Sequence, residues 1–180
     1  TWTNALIPFF KKVEEEYFTL IFEDHVLMNE VPIDKIAELE EQLISKKAQK
    51  AMIGGGISLE ETKAFEGNQN LVEFSQRVAY RMSLHPAIWR KDYFLKYLRP
   101  GMTSWDFEIM NDSRAIYDGA AILNYKYDYP NEPHLYSYLE LYTKGNNNIM
   151  QVDGNLTVPD QPSAKYFDAE DIKYIWEKTQ

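Results

Sequence analysis

The chain has no cysteine, so disulfides, thiolate metal sites and cysteine nucleophiles are all closed to it. Basic residues are scarce too: 19 Lys and Arg stand against 28 Asp and Glu, a net charge of -9. That balance lacks the cation density needed to neutralise a phosphate backbone, which argues against a general nucleic-acid binder. A nucleotide held by a local site or through a metal stays open. No apolar run approaches the roughly 20 residues of a membrane span, and no signal-peptide pattern is present. Nor does any nucleophile-elbow pattern support a Ser/His/Asp triad. A reducing compartment is compatible with this composition, and the expected location is cytoplasmic.

What is present is ordinary in amount and unusual in kind. The 180 residues suit one domain spanning positions 1–180, with 44% hydrophobic and 26% charged residues, as in a soluble globular protein. Aromatics reach 14%, with 13 Tyr, 9 Phe and 4 Trp. Such residues suit sugars and bases, although most of them are expected to fill the core. The opening "TWTNALIPFF" has no Met and already lies inside an amphipathic pattern. The expectation is a processed chain or a piece of a longer one.

Along the chain, Leu6, Ile7, Phe9, Phe10 and Val13 predict a first helix, with Thr3 as its cap and Pro8 tolerable only near its start. The run Tyr17 to Phe22 is apolar, aromatic and β-branched, the pattern of a buried central strand, and it ends in Glu23-Asp24-His25. "VPIDKIAELEEQLISKK" predicts an amphipathic helix with Ile36, Leu39, Leu43 and Ile44 on one face. "AMIGGG" reads as a short strand entering a flexible turn, without the context of a phosphate-binding loop. "LEETKAFEGNQNLVEFS" reads as a polar surface excursion.

Further on, Val78 to Leu84 is expected to be a strand, Pro86 a turn, and Lys91 to Leu98 a helix with Phe94, Leu95 and Leu98 inward. "SWDFEIMNDSRAI" is the next helix and "GAAILNYKYDY" a strand. "LYSYLELYTKG" is ambiguous, and "QVDGNLTVPDQPSA" is loop with a short hairpin. A terminal helix capped by Asp168 closes the chain. Alternating helices and strands without repeats favour an α/β domain.

Two acidic clusters could carry chemistry. Glu23-Asp24-His25 at a strand end could hold a hard cation such as Mg²⁺ or Mn²⁺, with His25 as a ligand suited to Mn²⁺; the plainer reading is an acidic turn. "TSWDFE" could be no more than a capped helix start, with Thr103 or Ser104 as cap and Asp106 and Glu108 near the positive end of the dipole. It could also be a catalytic carboxylate beside an aromatic wall, since Trp105 would exclude water and raise a neighbouring carboxyl. His85 reads first as a hydrogen-bonded strand-end residue, and His134 as a loop residue.

The series "WTNALIPFFKKVEEEYFTLIFEDHVL" followed by "RMSLHPAIWRKDYFLKYLRPGMTSWDFE" resembles a group of bacterial and viral glycosyltransferases of the GT-A type. The resemblance runs from Trp2 to Glu108, and "HPAIWRKDYFLKYL…SWDFE" is its specific part. It implies a GT-A-like α/β domain, a mixed sheet flanked by helices, acting on a nucleotide-sugar donor and a saccharide or other hydroxyl acceptor. Asp24, with Glu23 and His25 beside it, is given to the donor and to a Mn²⁺ or Mg²⁺ cofactor. Glu108 is given to the general base, with Asp106 next to it. Trp105, His85 and Trp89 fall to the acceptor site. His25 stands where the group usually has an aromatic, and His85 where it has glutamine. The group also carries strands and helices ahead of the tryptophan, so the domain is expected to be incomplete here, needing a preceding segment or a partner chain. The alternative is a non-catalytic domain of the same fold that binds sugar or protein in a viral or surface assembly. A metal-dependent hydrolase is a third reading, against which this chain lacks the further His and Asp residues that a protein-bound two-metal site needs.

Overall fold

A computed structural model of the chain describes residues 1–22, 25–27, 30–54, 62–126, 138–140, 150–152, 155–157 and 170. The chain divides into two compact units, Thr1–Ile21 with Pro32–Tyr136, and Phe22–Val31 with Ser137–Gln180.

The first unit is built on a mixed six-stranded sheet with four helices among the described residues, an α/β arrangement. In chain order its elements are α1 (Trp2–Phe10), β1 (Tyr17–Leu20), α2 (Ile33–Ser45), β3 (Lys50–Met52), β4 (Thr62–Ala64), β5 (Leu71–Phe74), β6 (Ala87–Arg90), α3 (Lys91–Tyr97), α4 (Ser104–Ala115) and β7 (Ile122–Tyr125). The strand order is β1-β6-β3-β7-β5-β4. Among the described residues of this sheet, β3 and β7 pair in parallel, with Lys50 opposite Ile122 and Met52 opposite Asn124, and the other pairs are antiparallel. The described residues of the second unit include two strand pairs, β2 (His25–Leu27) with β8 (Tyr138–Glu140), and β9 (Met150–Val152) with β10 (Asn155–Thr157). None of the described helices is long and apolar enough to cross a membrane.

Aromatic side chains from five elements make the core behind β6. Trp2, Phe10, Phe18, Trp89, Phe94 and Phe107 meet in edge-on or tilted contacts with centroids 4.3–6.4 Å apart. Each fully buried ring of this kind contributes about 1.5–3 kcal/mol by leaving water, and edge-on packing adds to that. Thr3 ties α1 to this cluster: its hydroxyl donates to the Met102 carbonyl at 3.1 Å and accepts from the Met102 amide at 3.0 Å.

Several sequence expectations need correction. Thr3 is buried on that loop, and Thr1 occupies the cap of α1 without a side-chain bond. Pro8 sits inside α1, which stops two residues later. The first strand is an edge strand of the six-stranded sheet, paired among the described residues with β6 alone, and its Phe18 packs against Phe10 and Phe94. On α2 only Leu39 and Leu43 are buried; Ile36 is half-buried and Ile44 is exposed. The polar excursion after residue 61 holds a β4–β5 hairpin, whose Leu71, Val72 and Phe74 are core residues. Val78 to Leu84 forms turns, not a strand, with Tyr80 at φ 64°, and the strand begins only after Pro86. On α3 the buried residues are Tyr93, Phe94 and Tyr97, with Leu98 buried just beyond and Leu95 half-buried. Of the terminal helix, Glu170 alone is described, and it is helical; Asp168 lies outside the described residues.

Candidate functional site around Glu108

The start of α4 is fixed by a capping box. Thr103 Oγ1 accepts from the Asp106 amide at 3.1 Å, and Asp106 Oδ2 accepts from the Thr103 amide at 2.8 Å. The Thr103 backbone and hydroxyl bonds hold the Asp106 carboxyl below its usual range. Asp106 therefore spends its carboxylate on the helix end, as an ordinary capped helix start requires.

Glu108, half a turn further, points elsewhere. Its Oε1 accepts from the Leu84 amide at 2.5 Å. Burial raises this carboxyl above the ordinary glutamate value; the Leu84 amide, the Lys50 ammonium and the Ser83 hydroxyl oppose that shift, and Asp112 adds to it. Asp112, one turn on, accepts from the Tyr80 amide at 2.5 Å and from the Met82 amide at 2.8 Å. The two carboxylates thus hold three amides of the 80–84 turn.

The remaining expected residues divide. Trp105, on the turn of α4 before Glu108, is 63% exposed, and its ring is open to solvent. His85 is half-buried directly after Leu84, its amide donating to Ser83 Oγ at 3.2 Å, so the fold brings it next to the Glu108 anchor. Trp89 is fully enclosed in the aromatic core; its ring has no surface to offer an acceptor, and its place is structural. Glu23 and Asp24 lie outside the described residues, and of His25 the structure describes only the backbone, paired with Glu140 in β2–β8. Among the described residues no three His, Asp or Glu side chains gather to hold a metal.

The position of Glu108 relative to the sheet matters. Pro86 meets the carboxyl end of β3, where the Ile53 and Gly54 amides donate to its carbonyl at 2.9 and 3.1 Å, while the Ser83 carbonyl accepts from Lys50, the first residue of β3. Among the described residues β3–β7 is the parallel pair of the sheet, and the turn that anchors Glu108 also touches its amino end, where Arg81 Nη2 donates to the Ala120 carbonyl at 2.7 Å. At that amino end lies a cleft of about 340 Å³, lined by Gln49, Arg90, Asp92, Lys96, Asp118 and Gly119 among others. Three of its charged groups have partners, partly from outside the cleft. Asp118 accepts from Tyr97 at 2.7 Å and faces Arg81 at 3.7 Å and Lys96 at 3.9 Å, while Arg90 pairs with Glu16 at 3.0 Å. That pattern belongs to an ion network bracing the fold more than to a site awaiting a ligand.

Comparison of the chain with family models, curated proteins and solved structures found no match. Sequence reasoning did not single out Lys50, Ser83 or Asp112. Asp112 had a visible signal, four residues after Glu108 on a predicted helix. Lys50 had none, since it closes the charged run "SKKAQK" and looks like solvent-facing surface.

Proposed function

We propose that the chain is a glycosyltransferase domain of the GT-A kind, in which Glu108 deprotonates the acceptor hydroxyl. The observation that carries this reading is the state of Glu108: half-buried, its carboxyl raised by burial, yet held in one orientation by the Leu84 amide. A raised but hydrogen-bonded carboxylate is what proton abstraction at neutral pH needs. Trp105, exposed one turn before it, offers an apolar ring face on which a pyranose can stack. In the reaction the acceptor O–H gives its proton to Glu108. Its oxygen then bonds to the anomeric carbon as the bond to the nucleoside diphosphate breaks, with the electron pair leaving on the diphosphate. Asp24 and Glu23 remain the candidates for donor and Mn²⁺ or Mg²⁺ binding. A divalent cation there would offset the charge on the departing diphosphate.

One observation favours the non-catalytic alternative: Glu108 and Asp112 together clamp the 80–84 turn, which is a structural task by itself. Transfer assays over UDP-, GDP- and CMP-sugars with Mn²⁺ and a mixed oligosaccharide acceptor pool separate the two. The transferase reading expects product from at least one donor and a loss of about 10²–10⁴-fold in kcat for Glu108→Gln, with the fold intact. Asp24→Asn should remove Mn²⁺-dependent donor binding in calorimetry. A wild-type chain that neither binds nor turns over any of these donors leaves the binding-domain reading in its place.

A further inference from the structure

The strongest feature outside the proposed machinery is a fully enclosed lysine. Lys50 opens β3, between β6 and β7 in the sheet, and none of its side chain reaches solvent. Its Nζ donates to the Arg81 carbonyl at 3.0 Å and to the Ser83 carbonyl at 2.6 Å, and lies 4.2 Å from the centre of the Trp89 ring. Those carbonyls share peptide groups with two of the amides that α4 holds. The 81–82 peptide accepts from Lys50 and donates, through Met82 N–H, to Asp112. The 83–84 peptide accepts from Lys50 and donates, through Leu84 N–H, to Glu108. A carbonyl that accepts from an ammonium polarises its own peptide and makes the N–H a better donor. The lysine therefore reaches Glu108 in two ways, through space as a cation and through the 83–84 peptide as a polarising partner.

We infer that Lys50 is a positioning residue for Glu108, holding and polarising the Ser83–Leu84 peptide whose amide fixes the carboxylate. The inference rests on Glu108 being the base, but it makes a claim about ionisation that needs no substrate. The charged groups acting on Lys50 are Glu108 and Asp112 from α4 and Arg81 from the turn; the first two favour its ammonium and the third opposes it.

The test follows the carboxyl carbon of Glu108 and the Leu84 amide by NMR across pH, in the wild type, Lys50→Met and Lys50→Arg. Losing the cation and the polarised peptide should move the Glu108 midpoint up by about one pH unit or more. It should also shift the Leu84 amide proton upfield, and Lys50→Arg should recover part of both. In a chain that shows transfer, Lys50→Met should lower kcat with little change in KM and move the acid limb of the pH profile upward with the Glu108 midpoint. If Lys50→Met does not fold, the wild type decides: the Leu84 amide must report a second inflection that coincides with titration of Lys50 Nζ. A folded Lys50→Met chain with unchanged Glu108 midpoint and Leu84 shift overturns the inference, as does a wild-type Leu84 amide blind to Lys50. Either result leaves the transferase reading standing. A shifted midpoint in a chain without transfer ends that reading alone.

Discussion

Asp106 and Glu108 are both carboxylates in the first two turns of α4, and their neighbours give them opposite characters. Hydrogen bonds from Thr103 stabilise the charged form of Asp106, so its contribution is present at neutral pH and fades as pH falls through its lowered value. Replacing Thr103 by Ala breaks the box from its other side and should cost about 1 kcal/mol in urea unfolding, with the Glu108 midpoint unmoved. Glu108 is raised by burial, so keeping it charged at neutral pH works against folding. Glu108→Gln retains a carbonyl to accept the Leu84 amide without a charge to desolvate, and should be at least as stable as the wild type. Glu108→Ala leaves that amide without its acceptor and should lose about 1–3 kcal/mol. Urea midpoints at pH 7 in the order Gln, wild type, Ala would show a residue retained in spite of its effect on stability. A Gln variant clearly below wild type would make Glu108 a structural residue.

At the level of elements, the 80–84 turn is the piece on which the site depends, and it has no ladder to hold it. Asp112 supplies the acceptors for two of its amides, so Asp112→Ala should speed hydrogen exchange at Tyr80 and Met82 by an order of magnitude or more. Amides of β3 and β7 should keep their protection, and a uniform loss across both strands would mean that the turn is integral to the sheet. This turn also marks where sequence patterns stop being informative. Val78, Tyr80, Met82 and Leu84 alternate as in a strand, but the partners that fix the turn are side chains from residues 50, 108 and 112, which no local pattern encodes. The helices were legible from local signals: Leu39 and Leu43 mark the inner face of α2, and Thr103-Ser104 marks the start of α4, where Thr103 proves to be the cap. The edge position of β1 was not, since Tyr17 to Leu20 would read alike wherever β6 placed it. Of the site, Glu108, Trp105 and His85 could be read from one contiguous block of sequence. Lys50 and Ser83 could not, because they contribute through backbone carbonyls and a turn that exist only once the sheet has formed.

For the whole molecule, the buried cation and the tyrosines facing Asp118 set how stability responds to alkali. Burial brings the Lys50 ammonium down to about 7, against the pull of Glu108 and Asp112. In the unfolded chain a lysine holds its proton to about 10.4. Between those values the unfolded state carries a proton that the folded state lacks, so stability rises with pH across the window from about 7 to 10. Tyr93 and Tyr97 act in the other direction. Burial, with Asp118 close by, pushes both phenols well above their usual value, so the folded state keeps protons that unfolded tyrosines release near pH 10. Above that point stability must fall. The unit carrying the six-stranded sheet should therefore show its highest urea midpoint near pH 10, and Lys50→Met should flatten the rising limb and leave the falling one. A wild-type midpoint that stays level or declines from pH 7 to pH 9 would mean that the two carbonyls, the Trp89 face and the α4 carboxylates keep Lys50 charged despite its burial. Glu108 would then face a permanent cation across that whole range, which opposes the raising of its carboxyl by burial.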